Sequence, residues 1–307
     1  MIMITWKGVF PALTTKFTHN DELDLPLFEK NIQKQISAGV DGIVIGGSLG
    51  ESSVLTSNEK ECLVKSAIEI IDGRIPVVYN IAEGGTKDAL QQVENATSWG
   101  VQGLMVLPPM RYKCDHREAV KWFKTIADST DLSIMVYNNP IDYKTEITLE
   151  MFDEFVEIKN IQAVKESTRD VTNVTRMINR YGKRFKILCG VDTLAMEELC
   201  LGADGWVAGL VCAFPKETVA IYRLVKAGRI EEAAVIYRWF MPMLEMDIHT
   251  KLVQYIKLAE QQTGLGNEHL RAPRLTLIGE ERERSLKIIN DSIASCPKLP
   301  DYLALQN

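Results

Sequence analysis

Three short stretches carry residue types that could do chemistry together. Ile161-Gln162-Ala163-Val164-Lys165-Glu166-Ser167 places a lysine at the end of an apolar run. Most lysines are solvated surface groups. One that closes a buried strand is partly desolvated, so its pKa falls and its neutral amine can attack a carbonyl carbon. Val136-Tyr137-Asn138-Asn139-Pro140 ends another apolar run with a phenol. If the two runs are neighbouring parallel strands, Tyr137 stands beside Lys165 and can move protons as a carbinolamine forms and collapses. The competing reading of Tyr137 is a core tyrosine bonded to a backbone carbonyl. In the third stretch, Gly46-Gly47-Ser48-Leu49-Gly50-Glu51-Ser52, glycines let the backbone approach a ligand. Successive N–H groups beside a serine hydroxyl there make a nest for a carboxylate. Gly190-Val191-Asp192 and Gly209-Leu210 would add small, open walls to the same mouth, with Asn80, Glu83 and Asp192 as further candidates.

Other chemistries find less support. His19, His116, His249 and His269 are dispersed without ligand spacing, so no metal is expected. The six cysteines form no CxxC pair and read as reduced packing residues. No Lys or Arg lies between Gly190 and Phe214, which disfavours a phosphate site in the last two strand loops of a barrel. Glu51 and Glu166 flank the chemical stretches and are as suited to orienting backbone or pairing with a cation as to reacting. A net charge of −6 on 307 residues argues against binding to nucleic acid or to a membrane surface. The start lacks a charged segment followed by a long apolar core, and no apolar run reaches the length of a membrane span. A cytoplasmic protein is the expectation.

The elements that must position these residues alternate along the chain. Gly8 to Phe17, Gly42 to Ile45, Pro76 to Tyr79, Leu104 to Leu107, Ile134 to Tyr137, Ile161 to Val164, Phe185 to Leu188 and Trp206 to Ala208 are short and apolar. Each is followed by a helix-like segment, the signature of parallel βαβ units. The form x-Gly-[Val/Ala]-x-Gly-apolar-apolar recurs at Ala38 to Val44, Trp99 to Met105 and Leu201 to Val207. Its first glycine suits a left-handed helix terminus and its second a tight entry into a buried strand. Any α/β protein contains such corners, but eight strand–helix units fit closure into a (β/α)₈ barrel better than an open sheet. An open sheet would want a glycine-rich turn after its first strand, and Pro11-Ala12-Leu13-Thr14-Thr15 is not one. After Pro215 the pattern is helical only. The expected division is a barrel over 1–228 and a helical C-terminal extension over 229–307. Trp239 to Leu244 is apolar enough to cover barrel surface or to meet another subunit.

Together the three stretches resemble the dihydrodipicolinate synthase and N-acetylneuraminate lyase family, whose marks are a Gly-[Ser/Thr]-x-Gly-Glu turn, a Tyr-Asn-x-Pro turn and a Lys-Glu-[Ala/Ser] strand end. The likeness extends to Gly8 to Phe17, Asp72 to Val77 and Arg271-Ala272-Pro273-Arg274-Leu275, nearly the whole chain. The resemblance implies that Lys165 is the Schiff-base lysine and Tyr137 the acid/base tyrosine. It also implies that Gly47 and Ser48 hold the substrate carboxylate, and that Gly190 and Val207 stand beside the lysine as backbone and wall. It implies a homotetramer that acts on a small-molecule carboxylate without metal or organic cofactor.

Departures from the family pattern bear on the substrate. Dihydrodipicolinate synthases carry a second Thr in the glycine turn and a Tyr after strand four, which relay protons; Leu49 and Met110 stand there in this chain. They also carry an Arg after Tyr-Asn-x-Pro for the aldehyde's carboxylate, where this chain has Ile141-Asp142 and an acid that would repel it. Gly190-Val191-Asp192-Thr193 and Gly47-Ser48-Leu49-Gly50 are closer to the family's 4-hydroxy-1-pyrroline-2-carboxylate deaminases. The expected activity is therefore a Schiff-base lyase of that kind. Dihydrodipicolinate synthesis and sugar-acid aldol cleavage or dehydration are the alternatives, and a non-catalytic descendant is disfavoured by the intact Lys165 and Tyr137.

Overall fold

The computed structural model describes residues 3–109 and 112–305. Eight parallel strands run β1 (Gly8–Pro11), β2 (Ile43–Ile45), β3 (Val77–Ile81), β4 (Gly103–Val106), β5 (Ser133–Asn138), β6 (Ile161–Glu166), β7 (Lys186–Cys189) and β8 (Gly205–Ala208). From β2 to β8 each pairs with its neighbour in chain order, and β8 pairs with β1. The β1–β2 seam is held by single contacts: Leu13 N–H donates to the Val44 carbonyl at 3.0 Å and Asp41 N–H to the Val9 carbonyl at 2.9 Å. The result is the expected (β/α)₈ barrel. All eight strands lie where the sequence reading put them, but their bounds differ from it, mostly by one or two residues. The first strand stops at Pro11, because the residues beyond it leave the sheet toward the mouth, and the seventh runs one residue later than expected.

Helices α1 (Leu25–Ala38), α2 (Ser57–Ile71), α3 (Thr86–Trp99), α4 (His116–Asp128), α5 (Pro140–Tyr143), α6 (Leu149–Asp153), α7 (Thr172–Tyr181), α8 (Ala195–Cys200) and α9 (Pro215–Lys226) fill the connections. Their starts are written locally. Thr56 with Glu59 and Asp115 with Glu118 form capping boxes that satisfy the first free N–H groups of α2 and α4. The repeated corner is real: Gly39, Gly100 and Gly202 have φ of 88°, 90° and 113°, values that favour glycine. Strand interiors are buried on both faces, as a barrel wrapped in helices requires.

The chain then continues as α10 (Ile230–Leu244), α11 (Leu252–Thr263) and α12 (Gly279–Ala294). Phe240, Met243 and Leu244 are buried, and Phe214 meets the Phe240 ring edge-on at 5.4 Å, so α10 covers apolar surface next to α9. Lys257 and Glu260 on α11 are fully buried and pair with Glu51 and Lys16 from the loops after β2 and β1, each at 2.5 Å. These two ion pairs fasten the helical extension across the same end of the barrel at which Lys165 and Tyr137 emerge.

Candidate active site

Parallel register sets the centre of the site. Tyr137 on β5 is paired with Lys165 on β6, and Asn138 with Glu166. The Lys165 ammonium lies over the Tyr137 ring, 4.2 Å from its centroid. Both side chains are buried. Burial pushes the Lys165 pKa below that of an ordinary lysine, and the nearby Tyr143, Asp247 and Asp192 only partly oppose this. A neutral amine is thereby available nearer neutral pH. Burial also pushes the Tyr137 phenol up to about 12, so it keeps its proton, and the Asn139 amide donates to its oxygen at 3.3 Å.

A cavity of about 490 Å³ opens over this pair. Gly47, Ser48, Leu49, Asp142, Gly190 and Val207 all line it, together with Lys165 and Tyr137. Met110, read from the sequence as a further wall, lies outside the described residues. Gly190 must be bare: a Cβ there would stand 2.7 Å from Lys165 Cε and 2.1 Å from Ser167 Oγ. Asp142 faces the cavity with its carboxylate accepting from Asn139 Nδ2 at 2.7 Å, within the one-turn helix α5. The further candidates read for the mouth are placed differently. Asn80 is buried and donates to the Gly46 carbonyl, which shapes the glycine turn from behind. Asp192 turns inward, where its carboxylate accepts from Trp206 Nε1 and from the N–H groups of Gly209 and Leu210. Glu83 is not part of the described wall.

Three contributors were missed. Tyr143, at the end of α5, brings its hydroxyl to within 2.5 Å of Ser48 Oγ and sets its ring edge-on to Tyr137 at 5.5 Å. A phenol six residues after Tyr137 was visible in the sequence, but only the return of the chain through α5 aims it inward. Arg169 lines the mouth from the loop after β6, with a φ of 64° that a non-glycine residue seldom adopts. Asp247, followed by Ile248, His249 and Thr250, comes from the link between α10 and α11 and roofs the cavity. No local sequence signal pointed to it. The arrangement can carry out amine attack at a carbonyl or imine carbon, with a phenol at hand for the protons and a cavity sized for a small substrate.

Residues 5–292 match the model of the dihydrodipicolinate synthetase family. A 4-hydroxy-tetrahydrodipicolinate synthase of Exiguobacterium sibiricum is 32% identical over 89% of this chain and 92% of its own. One from Halalkalibacterium halodurans is 28% identical over 92% and 96%. Among solved structures, a dihydrodipicolinate synthase from Bacillus anthracis superposes with a TM-score of 0.90 at 28% identity, covering 96% of this chain and 100% of that one. One from Aquifex aeolicus superposes at 0.88 and 26% identity, over 95% and 100%.

Proposed function

Because this chain belongs to the dihydrodipicolinate synthetase family and is thus a Schiff-base lyase, we propose that it joins Lys165 to C2 of a small 2-oxo acid or cyclic imine carboxylate. The single observation that carries this reading is the buried Lys165 amine lying against Tyr137 at the floor of the cavity. The neutral amine adds to C2, Tyr137 protonates the oxygen or nitrogen that leaves, and the resulting iminium is an electron sink for the next step. Among the described residues no acceptor is paired with the main-chain N–H of Ser48 or Leu49, so both are free for the substrate carboxylate. Gly190 and Val207 give the imine room.

The substrate we favour is a hydroxylated cyclic imine of the 4-hydroxy-1-pyrroline-2-carboxylate kind, whose hydroxyl leaves as water while two waters are consumed in hydrolysis, so that one water is taken up overall and ammonia is released. Leu49 and Asp142 support it, because neither offers the hydroxyl relay or the cation suited to condensation with a carboxylated aldehyde. Tyr143 on Ser48 supports the alternative, dihydrodipicolinate synthesis, since it sets a second hydroxyl pair beside Tyr137; the similar proteins named as 4-hydroxy-tetrahydrodipicolinate synthases point to that same reaction. We propose, too, that the catalytic barrel is residues 1–228 and that the protein works in the cytoplasm as a homotetramer.

The test has two stages. Borohydride reduction with pyruvate should add one reduced adduct at Lys165, seen by mass spectrometry of the digested protein, and an unmodified Lys165 would refute imine chemistry. Ammonia release from 4-hydroxy-1-pyrroline-2-carboxylate then favours the deaminase. Turnover of only pyruvate with aspartate semialdehyde, or only of 2-oxo-3-deoxy sugar acids, transfers the assignment to those activities.

A further inference from the structure

The acid that roofs the cavity has no counterpart in the three sequence motifs. Asp247 lies beyond the barrel strands, three residues after the end of α10, yet it shares one cavity wall with Lys165 and Tyr137. The barrel makes room for it. A Cβ on Gly209 would stand 2.2 Å from the nearer Asp247 carboxylate oxygen, so the absence of a side chain after β8 is what admits the acid.

The other acids near the lysine are engaged. Asp142 accepts from the Asn139 amide, and Asp192 accepts from Trp206, Gly209 and Leu210. No side chain among the described residues donates to Asp247; the Asp192 main-chain N–H approaches its carboxylate from behind, and the carboxyl group lines the cavity. Burial, followed by the nearby Asp192 charge, pushes its pKa well above the usual carboxylate range, while Lys165 pulls it back. With Lys165 neutral, Asp247 therefore tends to hold a proton. Once an iminium cation stands on Lys165, the same carboxyl faces a fixed positive charge and is held as the anion, its proton passing to water at the open mouth.

We propose that Asp247 is the base that takes, and the acid that returns, the C3 proton of the imine formed at Lys165. In this step the C3–H bond breaks and its proton goes to an Asp247 carboxylate oxygen. The electron pair becomes the C2=C3 bond, and the C2=N pair moves onto nitrogen to leave a neutral enamine. The reverse step returns the proton to C3, so no oxidant, reductant or co-reactant is needed. Deamination, dehydration and aldol chemistry all pass through this enamine or its equivalent.

The inference rests on imine formation at Lys165, and pyruvate alone separates the two. In deuterated buffer, enamine formation exchanges the methyl hydrogens of pyruvate, which proton NMR follows directly. Borohydride trapping on the same samples gives the amount of imine. Exchange per trapped imine is the quantity to compare between the wild-type protein and the Asp247→Asn and Asp247→Glu variants. Asp247→Asn should trap pyruvate and yet exchange at least tenfold more slowly per imine, and Asp247→Glu should recover part of the rate. Asp247→Asn within tenfold of wild type, or a loss of exchange matched by an equal loss of trapping, overturns the assignment and leaves imine formation standing. A wild-type protein that traps nothing at Lys165 overturns both.

Discussion

At the scale of single residues, the chemistry depends on how two buried groups share protons. Lys165 must lose its proton to attack, and Tyr137 must keep one to give. Burial serves both needs, because it disfavours the charged form of each: it lowers the ammonium's pKa and raises the phenol's to about 12. A single apolar environment therefore prepares both partners. The pH dependence follows with a definite sign. Attack needs the neutral amine, so the rate of borohydride trapping with pyruvate rises with pH through the Lys165 pKa and then levels off. The midpoint should fall below the value of about 10.4 of a solvated lysine. Trapping rates measured from pH 5 to 11 check this, and a midpoint at the ordinary lysine value would mean that burial does not tune the amine.

At the scale of elements, each strand end offers one side chain to the rim, and the loop behind it decides whether that side chain has space. Gly190 after β7 shows this most clearly. Gly190→Ala would set a methyl 2.7 Å from Lys165 Cε. Overpacking of this kind costs about 1–3 kcal/mol, little for a fold of this size, but it must turn the amine away from C2. We expect pyruvate trapping to fall by about tenfold or more with a melting temperature within a few degrees of wild type; unchanged trapping would show that the lysine has slack. The same distinction explains what was legible beforehand. The barrel could be read because alternating apolar runs and capped helices are local patterns, as in the Gly39, Gly100 and Gly202 corners. Lys165, Tyr137 and the Ser48 turn could be located because strand ends in a parallel barrel share one rim. Tyr143, Arg169 and Asp247 could not. Their positions depend on the return of the chain through α5, on a positive φ at residue 169, and on the docking of α10 and α11, none of which leaves a local trace. The direction of Asp192 stayed open for a related reason: its place next to a strand end says nothing of the Trp206 indole and backbone donors that turn it inward.

At the scale of the molecule, the helical extension is bound into the catalytic end by buried charge. Lys257 on α11 meets Glu51, and Glu51 belongs to the turn that carries Ser48, so this pair couples the extension to the expected carboxylate nest. Glu51 also accepts from the Arg271 main-chain N–H at 3.3 Å, and burial lowers the Lys257 pKa to about 8 against the pull of Glu51. A buried pair contributes little net stability over an apolar pair of equal shape, because both charges were taken out of water. Removal of one partner, in contrast, strands the other and costs about 3–5 kcal/mol. Arg274 Nη1 stands 3.9 Å from the other Glu51 oxygen and offsets part of that charge, so the single variant Lys257→Met should lower the melting temperature by roughly 5 °C. It should also raise the pyruvate concentration needed for half-maximal trapping, since the Ser48 turn loses its anchor. Adding Glu51→Gln to Lys257→Met removes the stranded charge and should recover at least half of the lost stability, although the loosened turn keeps trapping weak. Calorimetry and trapping on the single and double variants decide it. If the two variants are equally unstable, the clamp works by shape and not by charge; if the single variant melts with the wild type, α11 is held by its apolar contacts alone.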